Sequence, residues 1–403
     1  MPLVTDYEYK EEHMSNTQEI LEVNNVFKVF GSAPDKAMEM LRNGASKEHV
    51  LSETGQNVGV FDASFSVKRG EIFVIMGLSG SGKSTLVRLL NRLIEPSSGS
   101  IKLKGQTITN LADKDLLNVR RNDMSMVFQS FALMPHMSVI DNAAFGLEIS
   151  GVDKKTRHER AIEALEQVGL GSYAYSRPDQ LSGGMQQRVG LARALANDPT
   201  ILLMDEAFSA LDPLIRYEMQ GELIRLQKEQ ERTIVFISHD LDEAIRIGDR
   251  IAIMEGGRIV QIGTPEEIMN NPADDYVASF FKGVDTTKTI KVKDIAQTSA
   301  LTVAVNQHQA IDFSNNPNEF VYLLDSNNKF VGVAPSTVNG DLSLESLMAN
   351  RITPQFSVNG STSLKESISI VSESPYPVPV LDDKGGYQGT LSKEYVLSLL
   401  ANN

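Results

Sequence analysis

The chain reads Gly77-Leu-Ser-Gly80-Ser-Gly82-Lys83-Ser84-Thr85 between an apolar run, Glu71–Met76, and a helical pattern, Leu86–Leu93. Glycines let a backbone wrap closely around phosphate groups, and a helix that begins there points unpaired N–H groups at the anion. The pattern predicts a phosphate loop, with Lys83 on the β- and γ-phosphates and the Ser84 hydroxyl on Mg²⁺. Further contacts are expected from Gly77, Ser79, Gly80, Ser81, Gly82 and Thr85. A glycine-rich turn is the alternative, which the complete motif disfavours.

Two other apolar runs carry polar residues at their ends. Ile201–Met204 is followed by Asp205 and Glu206, and Thr233–Ile237 is followed two residues later by His239. Downstream of a phosphate loop, Asp205 stands where Mg²⁺ needs a ligand, and Glu206 can polarise a water against the γ-phosphate. An acidic cap on an ordinary strand is the alternative. Short apolar runs without polar residues are typical of parallel strands buried on both faces, so this region is predicted to be α/β.

A second anion-binding helix start is predicted at Leu181-Ser-Gly-Gly-Met-Gln186. Ser182 is a suitable N-cap, and Gly183 and Gly184 leave backbone N–H groups accessible. One nucleotide has one γ-phosphate, which the phosphate loop already holds. The second start therefore suits a nucleotide held by another subunit, which predicts a homodimer. A simple capped helix is the alternative.

Composition divides the chain into three regions. Residues 1–20 are polar and expected to be a flexible N-terminal segment, and residues 21–283 form the α/β region with a helical insertion at Lys36–Ser52. Residues 284–403 are rich in Ser, Thr, Val and Asn and contain a weak repeat. Val321–Asp325 with Gly332 recurs as Val378–Asp382 with Gly389 at the same spacing. Each copy predicts strand, Asp-led turn and strand, although two unrelated hairpins would look similar.

Bulk composition limits the classes of function. The 403 residues carry a formal net charge of −14, which predicts no nucleic-acid partner. Cysteine is absent, so disulfides, thiolate catalysis and cysteine-bound zinc are excluded. No secretory signal is recognisable, and no apolar run reaches the roughly 18 residues of a membrane helix. Any membrane role is therefore expected to be peripheral and to depend on a partner chain.

Together these segments resemble the ATP-binding subunits of ABC transporters over residues 21–283. The resemblance implies a P-loop nucleotide-binding domain with a helical subdomain, and ATP and Mg²⁺ as cofactors. It implies that Gln129 contacts Mg²⁺ and the attacking water, and that His239 supports hydrolysis alongside Glu206. Asp212 would couple two subunits, joining Ser182, Gly183 and Gly184 in contacts across the dimer. Phe30 matches the aromatic that stacks on adenine, although a core aromatic is the alternative.

Four stretches, Glu71–Lys83, Arg88–Pro96, Met126–His136 and Met204–Arg216, resemble more closely the glycine betaine/proline importer ATPases. In that family two ATPase chains lie at the cytoplasmic face of the membrane. They serve integral-membrane permease subunits and an extracytoplasmic solute-binding domain or protein. Alternatives are an importer ATPase for another small solute such as an amino acid, a non-transport ABC ATPase, and a nucleotide sensor with an inactive cassette. One departure from the family signature is Met185, where Gln is usual.

The tail resembles a tandem pair of CBS modules of the α+β class, spanning about 284–345 and 346–403. Such pairs are regulatory, so an adenine dinucleotide or an ionic signal is the implied regulator. Many CBS modules carry a ribose-contacting Asp at positions that are here Val338 and Tyr395. The resemblance therefore does not extend to ordinary AMP binding. A purely structural or dimerising tail is the alternative.

Overall fold

The computed structural model describes residues 18–129, 132–282, 290–305, 319–336, 344–352 and 355–401, together with Thr287. The chain forms two compact units, Met1–Lys282 and Gly283–Asn403. Each unit has hydrophobic clusters of its own. Of the predictions above, most of the N-terminal segment, up to residue 17, and Val338 lie outside the described residues.

A six-stranded sheet forms the centre of the first unit. The strands of this unit are, in chain order, β1 (Glu19–Phe30), β2 (Asn57–Lys68), β3 (Ile72–Met76), β4 (Ser98–Leu103), β5 (Gln106–Thr107), β6 (Met124–Val127), β7 (Ile201–Asp205), β8 (Thr233–Ser238), β9 (Arg250–Glu255) and β10 (Arg258–Gly263). The central order is β10-β9-β3-β8-β7-β6, parallel except for the β9–β10 hairpin. Strands β3, β7 and β8 are buried along their whole length, which confirms the three predicted strands to within one residue.

Helices cover both faces of this sheet. They are α1 (Pro34–Arg42), α2 (Lys47–Thr54), α3 (Lys83–Leu90), α4 (Asp113–Asn122), α5 (Val139–Ile149), α6 (Lys154–Gln167), α7 (Gly183–Leu195), α8 (Pro213–Gln230), α9 (Leu241–Ile247), α10 (Pro265–Asn270) and α11 (Asp275–Phe281). Alternate residues of β3 point to opposite faces. Val74 joins a core with α5, α6, α7 and α8, whereas Phe73 joins a core with α3 and the second sheet. The helix after the phosphate loop ends at Leu90, earlier than the predicted Leu93.

The second sheet is antiparallel, in the order β2-β1-β4-β5. Strand β1 begins at Glu19, so the predicted flexible segment ends before residue 20, and Ile20 is buried in the core. Helices α1 and α2 connect β1 to β2, which confirms the predicted helical insertion. They bury Ala37, Met38, Leu41 and Val50 in a small cluster against β1 and β2.

The second unit contains two small sheets built to one plan. Its strands are β11 (Thr302–Ala304), β12 (Phe320–Leu324), β13 (Phe330–Pro335), β14 (Val358–Asn359), β15 (Val378–Leu381) and β16 (Tyr387–Leu391). Its helices are α12 (Val292–Ile295), α13 (Leu344–Ala349), α14 (Leu364–Glu373) and α15 (Lys393–Ala401). In the sheets β11-β12-β13 and β14-β15-β16, the first pair is parallel and the second is an antiparallel hairpin.

The two hairpin turns confirm the predicted Asp-led repeat. The Asp325 carboxylate accepts hydrogen bonds from the N–H groups of Asn327 and Lys329, both at 2.8 Å. Asp382 repeats this in the second hairpin, accepting from Lys384 at 2.8 Å and from Gly386 at 2.7 Å. These backbone bonds lower the pKa of the Asp382 carboxyl, because they stabilise its charged form. A short polar side chain that bonds its own turn explains why Asp leads both turns.

Candidate nucleotide site

The phosphate loop follows the buried strand β3 and ends at the first residues of α3. Gly77 has a φ of +154° and Gly82 a φ of +102°, both in the left-handed region that favours glycine. A Cβ at Gly77 would overlap the Met254 carbonyl, and one at Gly82 would overlap the Gly59 carbonyl. At both positions glycine is required for two reasons. The dihedral angle favours it, and the backbone of β2 or β9 leaves no room for a Cβ.

Lys83 is buried beneath the loop, although it is a lysine. Its Nζ donates to the carbonyl of Gly77 at 2.8 Å and to that of Leu78 at 3.0 Å. Burial lowers the pKa of the ammonium, while the charges of Glu206 and Asp205 act in the opposite direction. A buried cation needs such partners, and these carbonyl bonds hold it within the loop until an anion replaces them.

The Ser81 hydroxyl lies in the same loop and is buried without a hydrogen-bond partner in the described structure. Buried polar groups are nearly always satisfied, so an orphaned hydroxyl in a phosphate loop indicates a missing acceptor. A bound phosphate oxygen would supply that acceptor. The loop therefore fits the nucleotide that the sequence predicts.

The carboxyl end of β7 brings Asp205 against the start of α3. Ser84 Oγ donates to Asp205 Oδ1 at 2.9 Å, and Arg88 Nη2 lies 3.5 Å from Asp205 Oδ2. Asp205 is almost fully buried. Ser84 and Asp205, which were predicted to share Mg²⁺, are therefore in direct contact. The described residues contain no group of three or more His, Asp or Glu side chains that could hold a metal ion, so a metal here would rely on hydroxyl, amide and water oxygens as well.

Glu206 lies at the centre of a polar cluster. Its Oε2 is 3.3 Å from His239 Nδ1 and 3.5 Å from Gln129 Nε2. Gln129 Nε2 also donates to Ser209 Oγ at 3.2 Å, and Ser209 Oγ donates to the Glu206 carbonyl at 2.9 Å. The structure thus brings together three predicted residues from three separate loops, namely the ends of β6, β7 and β8. Such convergence is expected at the carboxyl edge of a parallel sheet.

Phe30 ends β1 beside the phosphate loop. The residue is 38% exposed, so it is not a core aromatic. A Cβ added to Gly59 would lie 2.6 Å from the Phe30 ring and 3.5 Å from the Thr85 methyl. The ring and the first turn of α3 therefore flank the same glycine, and an exposed aromatic face stands next to the loop.

The second predicted helix start lies on an exposed surface. Ser182 is the N-cap of α7, and its Oγ accepts from the Met185 N–H at 3.3 Å. Asp212 is the N-cap of α8 and accepts from the Ile215 N–H at 3.1 Å. Gly184 packs against Ile215, which brings the two helix starts together. Met185 turns towards the core, so its replacement of the usual Gln leaves the cap intact.

Three residues that contact the site residues were not predicted from the sequence. Ser209 bonds Gln129 and Arg88 pairs with Asp205, as described above. Arg216 donates to the carbonyls of Ser209 and Leu211 at 3.3 and 3.2 Å, and so fixes the loop between Glu206 and Asp212. Ser209 lies in a recognised motif, but its partners are far away in sequence. No spacing rule links these residues.

Comparison with known proteins shows the class of protein to which this chain belongs. A sequence profile of the ABC transporter family matches residues 60–209. The dimeric structure of MJ0796, a bacterial ABC transporter cassette, matches with a TM-score of 0.51 and 31% identity over 60% of this chain and 98% of that one. A second structure of that cassette, in a post-hydrolysis state, is bound to ADP and Pi. The protein is an ABC-type ATPase that binds ATP.

Two relatives extend along nearly the whole chain. The glycine betaine/proline betaine transport system ATP-binding protein ProV of Salmonella typhimurium is 53% identical over 94% of this chain and 97% of its own length. The glycine betaine transport ATP-binding protein OpuAA of Bacillus subtilis is 49% identical over 95% and 93%. The chain belongs to this family of ABC transporter ATP-binding proteins, as its motifs indicated. None of the helices in the described part of the chain is long and apolar enough to span a bilayer.

Proposed function

We propose that this chain hydrolyses ATP to energise a bacterial importer of glycine betaine or a related osmoprotectant. The proposal rests on how much of this chain the similarity covers. Both glycine betaine relatives match the first and second units together, whereas the solved cassette covers 60% of the chain. An importer of another small solute, such as an amino acid, is the alternative, and a non-transport ABC ATPase is a more distant one.

The test is uptake in a bacterial strain that lacks its own betaine importers. Co-expression of this chain with its permease subunits is expected to restore growth at high salt when glycine betaine is supplied. Rescue by an amino acid, and not by betaine, would favour the alternative solute. Purification without any hydrophobic membrane chain would favour a non-transport ATPase.

ATP binding is assigned to the phosphate loop and the adjacent aromatic. Lys83 exchanges its carbonyl partners for the β- and γ-phosphates, and the Ser81 hydroxyl finds its acceptor in a phosphate oxygen. Phe30 stacks on adenine. The remaining contacts come from Gly77, Ser79, Gly80, Gly82, Ser84 and Thr85, largely through backbone N–H groups.

Ser84, Gln129 and Asp205 are the candidate Mg²⁺ residues. All three offer oxygen atoms, and Mg²⁺ commonly uses few protein ligands together with water and phosphate. Bound Mg²⁺ supplies charge neutralisation at the transferring phosphate. Ser84 would offer its hydroxyl oxygen to the metal, and Asp205, which contacts both Ser84 and Arg88, would be held beside it.

Glu206 and His239 are assigned to hydrolysis. Glu206 orients and polarises the attacking water, which Gln129 also contacts, and His239 donates to the γ-phosphate. Catalysis of phosphoryl transfer is mostly positioning and charge stabilisation, so the direct contacts among these side chains support the assignment. The inactive-sensor alternative is disfavoured, because Lys83, Asp205, Glu206 and His239 are all in place.

A homodimer completes the site. Ser182, Gly183, Gly184 and Asp212 lie at exposed helix starts, where they can close over a nucleotide held by a second copy. The related cassette was solved as a dimer, which supports this arrangement. Closure with ATP and reopening after hydrolysis shift the population of two states, and the permease subunits follow that shift.

The partners follow from the same proposal. Integral-membrane permease subunits, with a fused or separate extracytoplasmic solute-binding component, hold this chain at the cytoplasmic face of the membrane. No nucleic-acid partner is expected of a chain with a net charge of −14.

The second unit is proposed to be a tandem CBS pair of about 284–345 and 346–403 that regulates transport. Its repeated sheets support that assignment. A cavity of about 500 Å³ lies within this unit, and this volume falls in the usual range of ligand pockets. Tyr376 is one of the residues that line it, and its hydroxyl is buried without a hydrogen-bond partner in the described structure. An adenine dinucleotide or an ionic signal is the proposed regulator.

A further inference from the structure

The two-helix insertion, residues 31–56, has no function in the scheme above. Its base is closed by Gln56, which is buried. Gln56 Oε1 accepts from the Ala33 N–H at 3.2 Å, and its Nε2 donates to the Thr54 carbonyl at 3.1 Å. The side chain therefore ties the entry of the insertion to its exit, directly after Phe30. The insertion is anchored as one piece and is not a loose loop.

One side chain connects this insertion to a different part of the unit. Lys47, the first residue of α2, donates from Nζ to the Gly256 carbonyl at 2.8 Å. Gly256 and Gly257 form the turn between β9 and β10, with φ angles of +54° and +87°. The contact spans 209 residues of sequence. A lysine ammonium bonded to a carbonyl is a charge-assisted hydrogen bond, stronger than a neutral one.

The same turn holds the phosphate loop. The Gly257 N–H donates to the Ser81 carbonyl at 2.9 Å, and the Gly257 carbonyl accepts from the Phe61 N–H at 2.8 Å. Two successive hydrogen bonds therefore lead from the Lys47 ammonium to the backbone of Ser81. The path consists of one peptide unit, and no flexible side chain lies between the turn and the loop.

Close packing limits how the turn can move without the loop. A Cβ at Gly82 would lie 3.4 Å from the Gly257 Cα, and one at Gly257 would lie 3.0 Å from the Gly59 carbonyl. The loop, the turn and β2 thus meet backbone to backbone at three glycines. Small shifts of the turn are transmitted in such a contact, since packed backbones leave no space to absorb them.

We propose that the insertion braces the phosphate loop, and that Lys47 is a positioning residue for nucleotide binding. Lys47 acts through Gly256, Gly257 and Ser81, and the phosphates are held by the loop that these contacts support. This role goes beyond the ATPase function and the proposed transport function. Loss of the Lys47 bond lets the turn relax and loosens the cradle, which weakens phosphate binding more than it slows hydrolysis of bound ATP.

The experiment compares Lys47→Met with Lys36→Met in the full chain. Lys36 is an exposed lysine of α1 with no partner in the described structure, so it is a matched control for charge and helix. We expect Lys47→Met to raise the KM for ATP by about three- to tenfold, with kcat changed less than twofold, as loss of one charge-assisted hydrogen bond implies. The inhibition constant of tripolyphosphate, which has no base, should rise by a similar factor.

Lys47→Arg keeps a cationic donor and is expected to recover at least half of the lost affinity. An unchanged KM in Lys47→Met, or an equal rise in Lys36→Met, would overturn the proposal. A variant that loses kcat and thermal stability together, with tripolyphosphate inhibition unaltered, would show a merely structural role and would overturn it as well.

Discussion

Glu206 has a φ of +47°, a left-handed conformation that is unusual for a residue with a side chain. The preceding strand β7 is fully buried, and the next turn is closed by Ser209 and Arg216. The strain therefore persists because the surroundings fix it on both sides. The conformation turns the carboxylate out of the sheet axis towards Gln129 and His239. The contacts of this carboxylate with Gln129 and His239, and not the backbone angle alone, support its assigned role.

Replacement of Glu206 by Gln separates binding from hydrolysis. The amide keeps the size and a hydrogen-bonding oxygen but cannot accept the proton of the attacking water. We expect steady-state ATP hydrolysis to fall by at least about 100-fold, the usual range for a lost general base. Equilibrium binding of ATP should stay within a few-fold of the original, because Lys83 and the loop are unchanged. Near-normal turnover in this variant would remove Glu206 from its assigned role.

Most individual residues of the candidate site could be predicted from the sequence, because they lie in local motifs. Lys83, Asp205 and Glu206 each follow or end an apolar strand, and that order can be read without a structure. The contacts of Arg88 with Asp205 and of Arg216 with Ser209 and Leu211 could not be predicted. They depend on how far α3 and α8 turn relative to the strand ends, and a change of one residue in register would separate them.

The proposed homodimer depends on helix N-termini, which are expected to contact the nucleotide of the second copy. Ser182 and Thr264 share one capping bond, since each hydroxyl accepts an N–H three residues later, at 3.3 and 3.2 Å, although the Glu267 side chain adds a second bond at Thr264. Both caps contribute to folding in the same way, by satisfying an orphaned donor. Of these two residues, only Ser182 is followed by two glycines, Gly183 and Gly184, at the helix start. The two caps therefore form a natural pair in which structural and functional roles can be separated.

Ser182→Ala and Thr264→Ala are expected to lower the free energy of unfolding by about 1 kcal/mol each. Only Ser182→Ala should also reduce ATP hydrolysis, by about tenfold, because it removes a donor to the partner's γ-phosphate as well as a cap. The measurements are chemical denaturation and steady-state ATPase activity on matched preparations. If both variants lose activity in proportion to stability, the trans-subunit role of Ser182 is wrong.

Tyr387, in strand β16, makes the stability of the second unit depend on pH. Burial raises the pKa of the Tyr387 hydroxyl to about 12. The unfolded chain releases this proton near pH 10, while the folded unit retains it, so the unfolded state binds fewer protons above pH 10. Stability of the second unit should therefore fall as pH rises from 10 to about 12. In Tyr387→Phe this part of the alkaline loss should disappear, as followed by circular dichroism against pH.

The whole molecule consists of two units, and among the described residues their hydrophobic clusters share no member. Val74 and Phe73 belong to the cores of the first unit, whereas Val358 and Leu391 belong to a core of the second. A change of composition near residue 284 already suggested this division. The fold of the tail was harder to predict, because its strands are short and only the Asp-led turns repeat. The cavity to which we assign the regulator is lined by residues distant in sequence, such as Gln297 and Tyr376, which no local pattern reveals.

Deletion of residues 283–403 is expected to leave ATP hydrolysis within about threefold of the full chain, because the first unit keeps its whole core. Regulation should change instead: in vesicles that contain the permease subunits, the dependence of transport on ionic strength or on adenine dinucleotides is expected to weaken or vanish. The full-length variant Tyr376→Phe is the second test, because it changes a residue that lines the cavity and keeps both units in the chain. If Tyr376→Phe loses the dependence on adenine dinucleotides and keeps the dependence on ionic strength, the regulator is assigned to the cavity. If the truncated chain and the full chain respond identically to salt and to dinucleotide, the second unit is a structural tail.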